Sequence, residues 1–167
     1  MSQETQETQA IRSVRAVLMD YLAQREHSAK ELFDKAVKRL GAEASESIED
    51  AIEQLSLEGL QSDERYAESL CRYRIGKGYG PNFIVQALRE KGIALDIQRE
   101  ALSQLKPDWF DLAQTALQKR FGSAMQGKID PLQRRKELQR RMRFLSYRGF
   151  SADIVSAVVA AEDLTET

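Results

Sequence analysis

From Ile11 onward the apolar residues of this chain recur every three or four positions, and the pattern starts afresh twice before the chain ends. Ile11, Val14, Val17, Leu18, Tyr21 and Leu22 share one stripe at the 3.6-residue helical period. The two-residue alternation of a half-buried strand is nearly absent, and only three prolines occur, Pro81, Pro107 and Pro131. A chain patterned in this way can bury its apolar stripes only by packing helix on helix. The expected fold class is all-α.

Turn and cap residues divide the stripe into segments. Ser28 is placed as an N-cap with Glu31 at the capping-box position, and Leu32, Ala36, Val37 and Leu40 point inward before Gly41 closes the helix. Ser47 is read as the cap of a third short helix carrying Ile48, Ile52 and Leu55. The pattern restarts at Ser62 with a helix through Ile75. Gly80-Pro81 opens another that ends near Lys91-Gly92, and a third runs from Leu95 to Leu105. Asp108 caps a helix through Phe121. Residues 122–130 form a connection, a basic helix spans Pro131 to Arg148, and a last one covers Ser151 to Ala161.

Self-comparison gives these helices an order. A shift of 52 positions lays Leu18, Met19, Tyr21 and Ser28 on Leu70, Cys71, Tyr73 and Gly80. A further shift of 71 lays Cys71, Tyr73, Gly78, Tyr79, Gly80 and Phe83 on Met142, Phe144, Gly149, Phe150, Ser151 and Ile154. Each copy is an amphipathic helix with an aromatic residue, a tight turn, and a Ser or Gly opening the next helix. The expected organisation is an elongated tandem array of three three-helix repeats, 10–60, 61–106 and 107–162, between an acidic disordered tail 1–9 and a short tail 163–167.

Charge separates along this array. Residues Met1–Cys71 hold 8 Lys/Arg against 15 Asp/Glu, a balance of −7, and Arg72–Thr167 hold 17 against 11, a balance of +6. The C-terminal part is therefore suited to an anionic partner. No apolar run approaches the ~20 residues of a membrane span, and the polar, acidic N-terminus is unlike a signal or transit peptide. A lone cysteine, Cys71, leaves no internal disulfide. The expected setting is cytoplasmic, without a membrane and as a monomer.

Two stretches invite a functional reading. In Arg74-Ile-Gly-Lys-Gly-Tyr-Gly-Pro81 three glycines alternate with Lys77 and Tyr79, as in a phosphate-binding loop. Such a loop needs a preceding strand and a closing Lys-Ser/Thr pair, and this one follows a helix and lacks the pair. Gly as N-cap and Pro at the first helical position explain Gly80-Pro81 more simply, as a helix–helix turn that presents Lys77 and Tyr79. The second stretch is basic. Lys119 to Arg148 contains ten Lys/Arg and two Asp/Glu, among them Lys119, Arg120, Arg134, Arg135, Lys136, Arg140, Arg141, Arg143 and Arg148. Leu138, Met142 and Leu145 are expected to face the core, and Arg134, Arg141 and Arg148, seven apart, to line one flank. With only Glu137 to pair with, these cations suit a phosphate backbone or an acidic protein groove, whereas a merely solvated face is the plainer alternative. Arg72, Arg74, Lys77, Arg89 and Lys91 extend the basic set. Among the nearby rings Tyr79, in a turn, is expected to be the most exposed.

Catalytic chemistry finds little footing. His27, the only histidine, precedes a cap and is expected at the surface, away from Cys71 and from any paired serine. No Cys/His cluster has metal-ligand spacing, and Cys71 takes the small apolar position that Met19 and Met142 hold in the other copies. No enzyme activity, metal or cofactor is expected.

The run Gly59-Leu-Gln-Ser-Asp-Glu-Arg-Tyr-Ala67, followed by Arg72-Tyr-Arg74, Gly78-Tyr-Gly-Pro81 and Ile84-Val-Gln-Ala-Leu-Arg-Glu-Lys-Gly-Ile93, resembles the central signature of the bacterial RecX regulatory proteins. The turn Tyr147-Arg-Gly-Phe-Ser151 fits the same family, and the likeness extends from about Ile11 to Ala161. Gln61-Ser62 departs from it, since many members carry an aromatic residue and an Asp there. The resemblance implies tandem three-helix repeats that bind RecA and its filament on single-stranded DNA, inhibiting ATP hydrolysis, strand exchange and stimulated repressor cleavage, and so tuning recombinational repair and the SOS response. Direct contact with single- or double-stranded DNA is a further expectation. On this reading, charge reversal at Arg134, Arg135, Arg140 and Arg141 together abolishes RecA inhibition without unfolding the protein. The rival is a sequence-specific helix-turn-helix regulator reading DNA with Asn82–Leu88, a segment poor in cations.

Overall fold

The computed structural model of the protein describes residues 3–122 and 130–164, with side chains over 14–122 and 130–162. Nine α-helices follow one another among the described residues, with no strand: α1 (Gln3–Gln24), α2 (Ala29–Leu40), α3 (Ser45–Leu57), α4 (Asp63–Gly76), α5 (Pro81–Glu90), α6 (Leu95–Leu105), α7 (Trp109–Phe121), α8 (Pro131–Tyr147) and α9 (Ala152–Leu164). The all-α expectation holds. None of these helices is long and apolar enough to cross a membrane. Helix α1 already runs from Gln3, across most of the stretch assigned to a tail, and most of the connection 122–130 lies outside the described residues.

The chain divides into two compact units, one of residues 1–69 with 88–101, the other of residues 70–87 with 102–167. The division falls inside α4, α5 and α6.

In the first unit α1, α2 and α3 pack pairwise. Val14, Leu18, Leu32, Ala36, Ile48, Ile52 and Leu55 form the core, as their spacing predicts. Leu18, Leu32, Ile48 and Leu55 are fully buried, each contributing about 1.5–3 kcal/mol relative to exposure. Ser28 caps α2 by accepting from the Glu31 amide at 3.1 Å, and Gly41 closes it. Ser47 does not cap α3. A 3₁₀ turn, Ala42–Ala44, leads directly into Ser45, whose hydroxyl donates back to the Ala42 carbonyl at 2.6 Å.

The turn between α1 and α2 contradicts the surface placement of His27, which is fully buried. Its Nδ1 lies 3.0 Å from the Arg25 carbonyl and its Nε2 lies 2.8 Å from Lys35 Nζ. Nδ1 therefore carries the proton and donates, while Nε2 accepts from the ammonium. Burial pushes the imidazole pKa down, further helped by the charges of Arg25 and Lys35 and opposed by the Arg25 carbonyl. Gln61, at the departure from the family pattern, is buried beside it. Its amide donates to the His27 carbonyl (3.3 Å) and to Asp63 (2.9 Å), and Asp63 accepts from the Ala29 amide (2.9 Å).

Glu31, read as a capping-box residue, does something else. Its carboxylate accepts from Arg25 at 2.9 Å and from Lys91 at 3.2 Å. Burial alone would raise its pKa, but the two cations outweigh that and hold it down at about 2, from 4.5. A depressed folded-state pKa gives stability that is complete above pH 4.5 and is lost as pH falls toward 2. Glu31→Gln is therefore expected to flatten the dependence of the urea midpoint on pH across that interval; an unchanged slope would remove Glu31 from the account.

In the second unit α7, α8 and α9 pack pairwise around Ala113, Leu117, Leu145, Phe150, Val155 and Val158. Asp108 caps α7 through the Asp111 amide at 3.0 Å. Asp130 caps α8 through the Leu132 amide at 3.1 Å, just before Pro131 at the first helical position.

Candidate functional site

The glycine run closes α4 and opens α5. Gly78 has φ +77° and Gly149, its counterpart in the self-comparison, has φ +86°, a left-handed backbone that glycine adopts without steric cost. Both close a helix with the same pair of bonds. Gly78 and Tyr79 amides donate to the Ile75 and Arg74 carbonyls, and Gly149 and Phe150 amides to those of Ser146 and Leu145. This is the Schellman closure.

The two turns then meet back to back. The Gly80 amide donates to the Arg148 carbonyl at 2.8 Å, and the Asn82 amide to the Gly149 carbonyl at 3.0 Å. The unpaired donors that begin α5 are thus satisfied by the unpaired acceptors that end α8. A phosphate finds neither amide free, so the loop is a corner and not a nucleotide site. The same contact occupies the Gly80 and Asn82 amides at the start of α5, while the Asn82 side chain stays exposed.

Sequence placed both Tyr79 and Arg148 among the exposed contact residues. Instead they stack. The Tyr79 ring lies on Phe83 with centroids 4.2 Å apart, Arg148 sits 4.7 Å from its centroid, and Arg74 sits 5.4 Å away. Tyr79 is half-buried in this column, whereas Tyr73 and Tyr147 are the exposed rings, Tyr147 at 85%. Burial of Cys71 is as expected, and it pushes the thiol up to about 11.

Helix α8 is basic all round in sequence but two-faced in structure. At about 100° per residue, Arg134, Glu137, Leu138, Arg141, Phe144, Leu145 and Arg148 lie on one side, and all are buried or half-buried. The seven-residue arginine register therefore faces inward. Arg141 is 3% exposed, donates to Glu162 at 2.6 Å, and has Nε 3.5 Å from Glu137. It is a core ion pair and no contact residue, which also withdraws the expectation that its charge can be reversed without unfolding. Met142, expected inside, is 38% exposed. The leucine stripe was misread because Arg141, one position before Met142, takes the inward place.

The opposite side carries Leu132, Lys136, Arg140, Arg143 and Tyr147, all exposed. Their spacings of 4, 4, 3 and 4 keep them within a band of about 80°. Among the described residues, Arg140 is the only one of the three cations near a carboxylate, Glu137 at 3.6 Å. Arg135 lies exposed at the edge of this band. Sequence reasoning missed Leu132 and Tyr147 as members of the face; the i, i+4, i+8, i+11, i+15 spacing was the available signal. Lys119, Arg120, Arg72 and Lys77 are exposed elsewhere in the same unit. Arg89 and Lys91 belong to the first unit, where Lys91 is tied to Glu31.

Comparison with known proteins now bears on this arrangement. Family models described as the second and third three-helix domains of RecX match residues 62–102 and 107–159. The chain is 38% identical over 154 residues to a regulatory protein RecX of Pseudomonas putida strain GB-1, covering 92% of this chain and 94% of that one. It is 37% identical to one from Halorhodospira halophila, with 92% and 91% covered. The crystal structure of RecX from Lactobacillus salivarius superposes with a TM-score of 0.74 at 26% identity, over 94% of this chain and 99% of that one. The Pseudomonas and Halorhodospira relatives are named as regulatory proteins. With two successive three-helix domains matched and more than nine-tenths of the chain aligned, this all-α repeat protein belongs to the RecX family of regulatory proteins.

Proposed function

We propose that the protein binds RecA and the RecA filament on single-stranded DNA, and inhibits its recombinase, ATPase and coprotease activities. Family membership supports this reading, and the single structural observation that carries it is the exposed band Leu132, Lys136, Arg140, Arg143 and Tyr147 on α8. Three cations with an apolar residue at one end and a ring at the other suit an acidic protein groove or the phosphates within a filament. The protein acts as a monomer in the cytoplasm, tuning recombinational repair and the SOS response. Arg72, Lys77, Lys119, Arg120 and Arg135 supply further positive charge to the same unit. A sequence-specific duplex reader has less support, because the segment Asn82–Leu88 that would read the groove contains no Lys or Arg to hold the flanking phosphates.

The test is RecA ATPase activity on single-stranded DNA, with the protein added before or after filament assembly. Lys136→Glu, Arg140→Glu and Arg143→Glu combined should raise the concentration for half-inhibition at least about tenfold, as loss of three charge contacts implies. The helical circular dichroism should not change, since all three side chains are exposed. Undiminished inhibition by that folded variant would remove the α8 face. Inhibition only on addition before assembly would identify a block to filament growth.

A further inference from the structure

In the first unit the turn between α1 and α2 holds a group that the proposed activity does not use, the fully buried His27. Its Nδ1 donates to the Arg25 carbonyl at 3.0 Å, and its Nε2 accepts from Lys35 Nζ at 2.8 Å. Both ring nitrogens are engaged, and the ring is fully satisfied as a neutral tautomer. The same Lys35 ammonium lies over the Tyr21 ring, 5.2 Å from its centroid. Among the described residues no carboxylate pairs with it. A lysine anchored by an imidazole lone pair and a neutral ring keeps its seat only while that lone pair is free.

A proton on Nε2 removes the acceptor and sets an N–H against an ammonium. The surrounding charges offer little relief. From α1 comes the Tyr21 ring, 6.0 Å away, and from the turn Arg25 and Glu26, the latter paired with Arg65 at 2.8 Å. From α2 come Lys35 and Glu31, whose carboxylate is already shared by Arg25 and Lys91. Tyr66 of α4 is near Arg25. Asp63 accepts from the Ala29 amide and from Gln61, which itself donates to the His27 carbonyl. From α3 the Ser56 hydroxyl is bonded to Gln61. Lys35, by contrast, has a second place to go. It lines a cleft of about 210 Å³ together with Glu31, Asp34 and Glu90, carboxylates that can receive a released ammonium.

We propose that His27 and Lys35 form a proton-operated latch: the neutral imidazole holds Lys35 inward, and protonation releases Lys35 to the carboxylates of the cleft and loosens the turn that joins α1 to α2. Burial lowers the imidazole pKa, the Arg25 carbonyl opposes this, and the charges of Arg25 and Lys35 add to it, so the latch is closed at neutral pH. A folded-state pKa below the ordinary 6.5 gives stability that is complete above pH 6.5 and is lost as pH falls below it. The latch is independent of the RecA reading and is tested without RecA, so the two stand or fall separately.

His27 is the only histidine, so proton NMR of the untagged full chain reads it directly. Its ring Cε1 proton should titrate with a midpoint below 6.5. The Lys35 Cε protons, shifted by the Tyr21 ring, should move toward the ordinary lysine position with the same midpoint. Amide exchange over residues 29–32, corrected for its intrinsic pH dependence, should quicken about tenfold or more across that midpoint, as local opening implies. Lys35→Met keeps an apolar stem and removes the ammonium. It should raise the His27 midpoint by about half a pH unit or more, because losing a like charge and a bond to the neutral ring both favour protonation. A wild-type midpoint at or above 6.5, Lys35 protons that stay in place through the titration, unchanged amide exchange, or an unaltered or lowered midpoint in Lys35→Met would each overturn the latch.

Discussion

Replacing Arg141 with alanine is expected to cost about 3–5 kcal/mol of stability, the loss typical when one partner of a buried pair is removed. The arginine is 3% exposed and its partner Glu162 9% exposed, joined at 2.6 Å across α8 and α9. Without the guanidinium, the Glu162 carboxylate stays in the core having lost its cation at 2.6 Å, and Glu137 loses one at 3.5 Å. Urea denaturation followed by circular dichroism measures the loss. Arg140→Ala, one position away and exposed, should shift stability by no more than about 0.5 kcal/mol. Arg141→Met combined with Glu162→Leu should recover most of the loss, because apolar side chains of similar size can replace such a pair at little cost. Equal midpoints for Arg141→Ala and Arg140→Ala would place Arg141 outside the core.

Gly149→Ala is the second substitution with a large expected effect, and two costs add. An alanine at φ +86° is strained, by roughly 1–2 kcal/mol. Its Cβ would also lie 2.5 Å from the amide nitrogen and Cβ of Phe83, where the turns meet; relieving such overpacking costs typically about 1–3 kcal/mol. Moving the turn away stretches the bonds from Gly80 and Asn82, so the collision has no cheap escape. Gly78→Ala separates the terms. It has φ +77° in the same closure, but its nearest contact is ordinary, Ala116 Cβ at 3.6 Å. Gly149→Ala should therefore be the more destabilising in urea by about 1–3 kcal/mol; equality would mean that strain alone matters.

These two residues show where reading the chain succeeded and where it stopped. Gly149 was legible: the self-comparison paired it with Gly78, and both close their helices with the same bonds. Arg141 was not. In sequence it is one of several arginines at a regular interval, and its burial depends on Glu162, twenty-one residues away. His27 failed for the same reason, since the Lys35 ammonium and the Gln61 amide that enclose it come from two other elements.

The sequence by itself determined the all-α class, the order and most of the ends of the helices, and the family, because periodicity, caps and turn glycines act over one or two turns of local chain. It also showed that positive charge gathers in the C-terminal part. Only the tertiary structure decided which cations are available. It turned Arg134 and Arg141 inward, set Arg148 half-buried against Tyr79 and Phe144, left Lys136, Arg140 and Arg143 outward, and set the glycine turn against Arg148 and Gly149. Local spacing fixes which residues share a helical face, but which face is buried depends on what packs against it. On α8 a carboxylate from α9 made the arginine face the inner one.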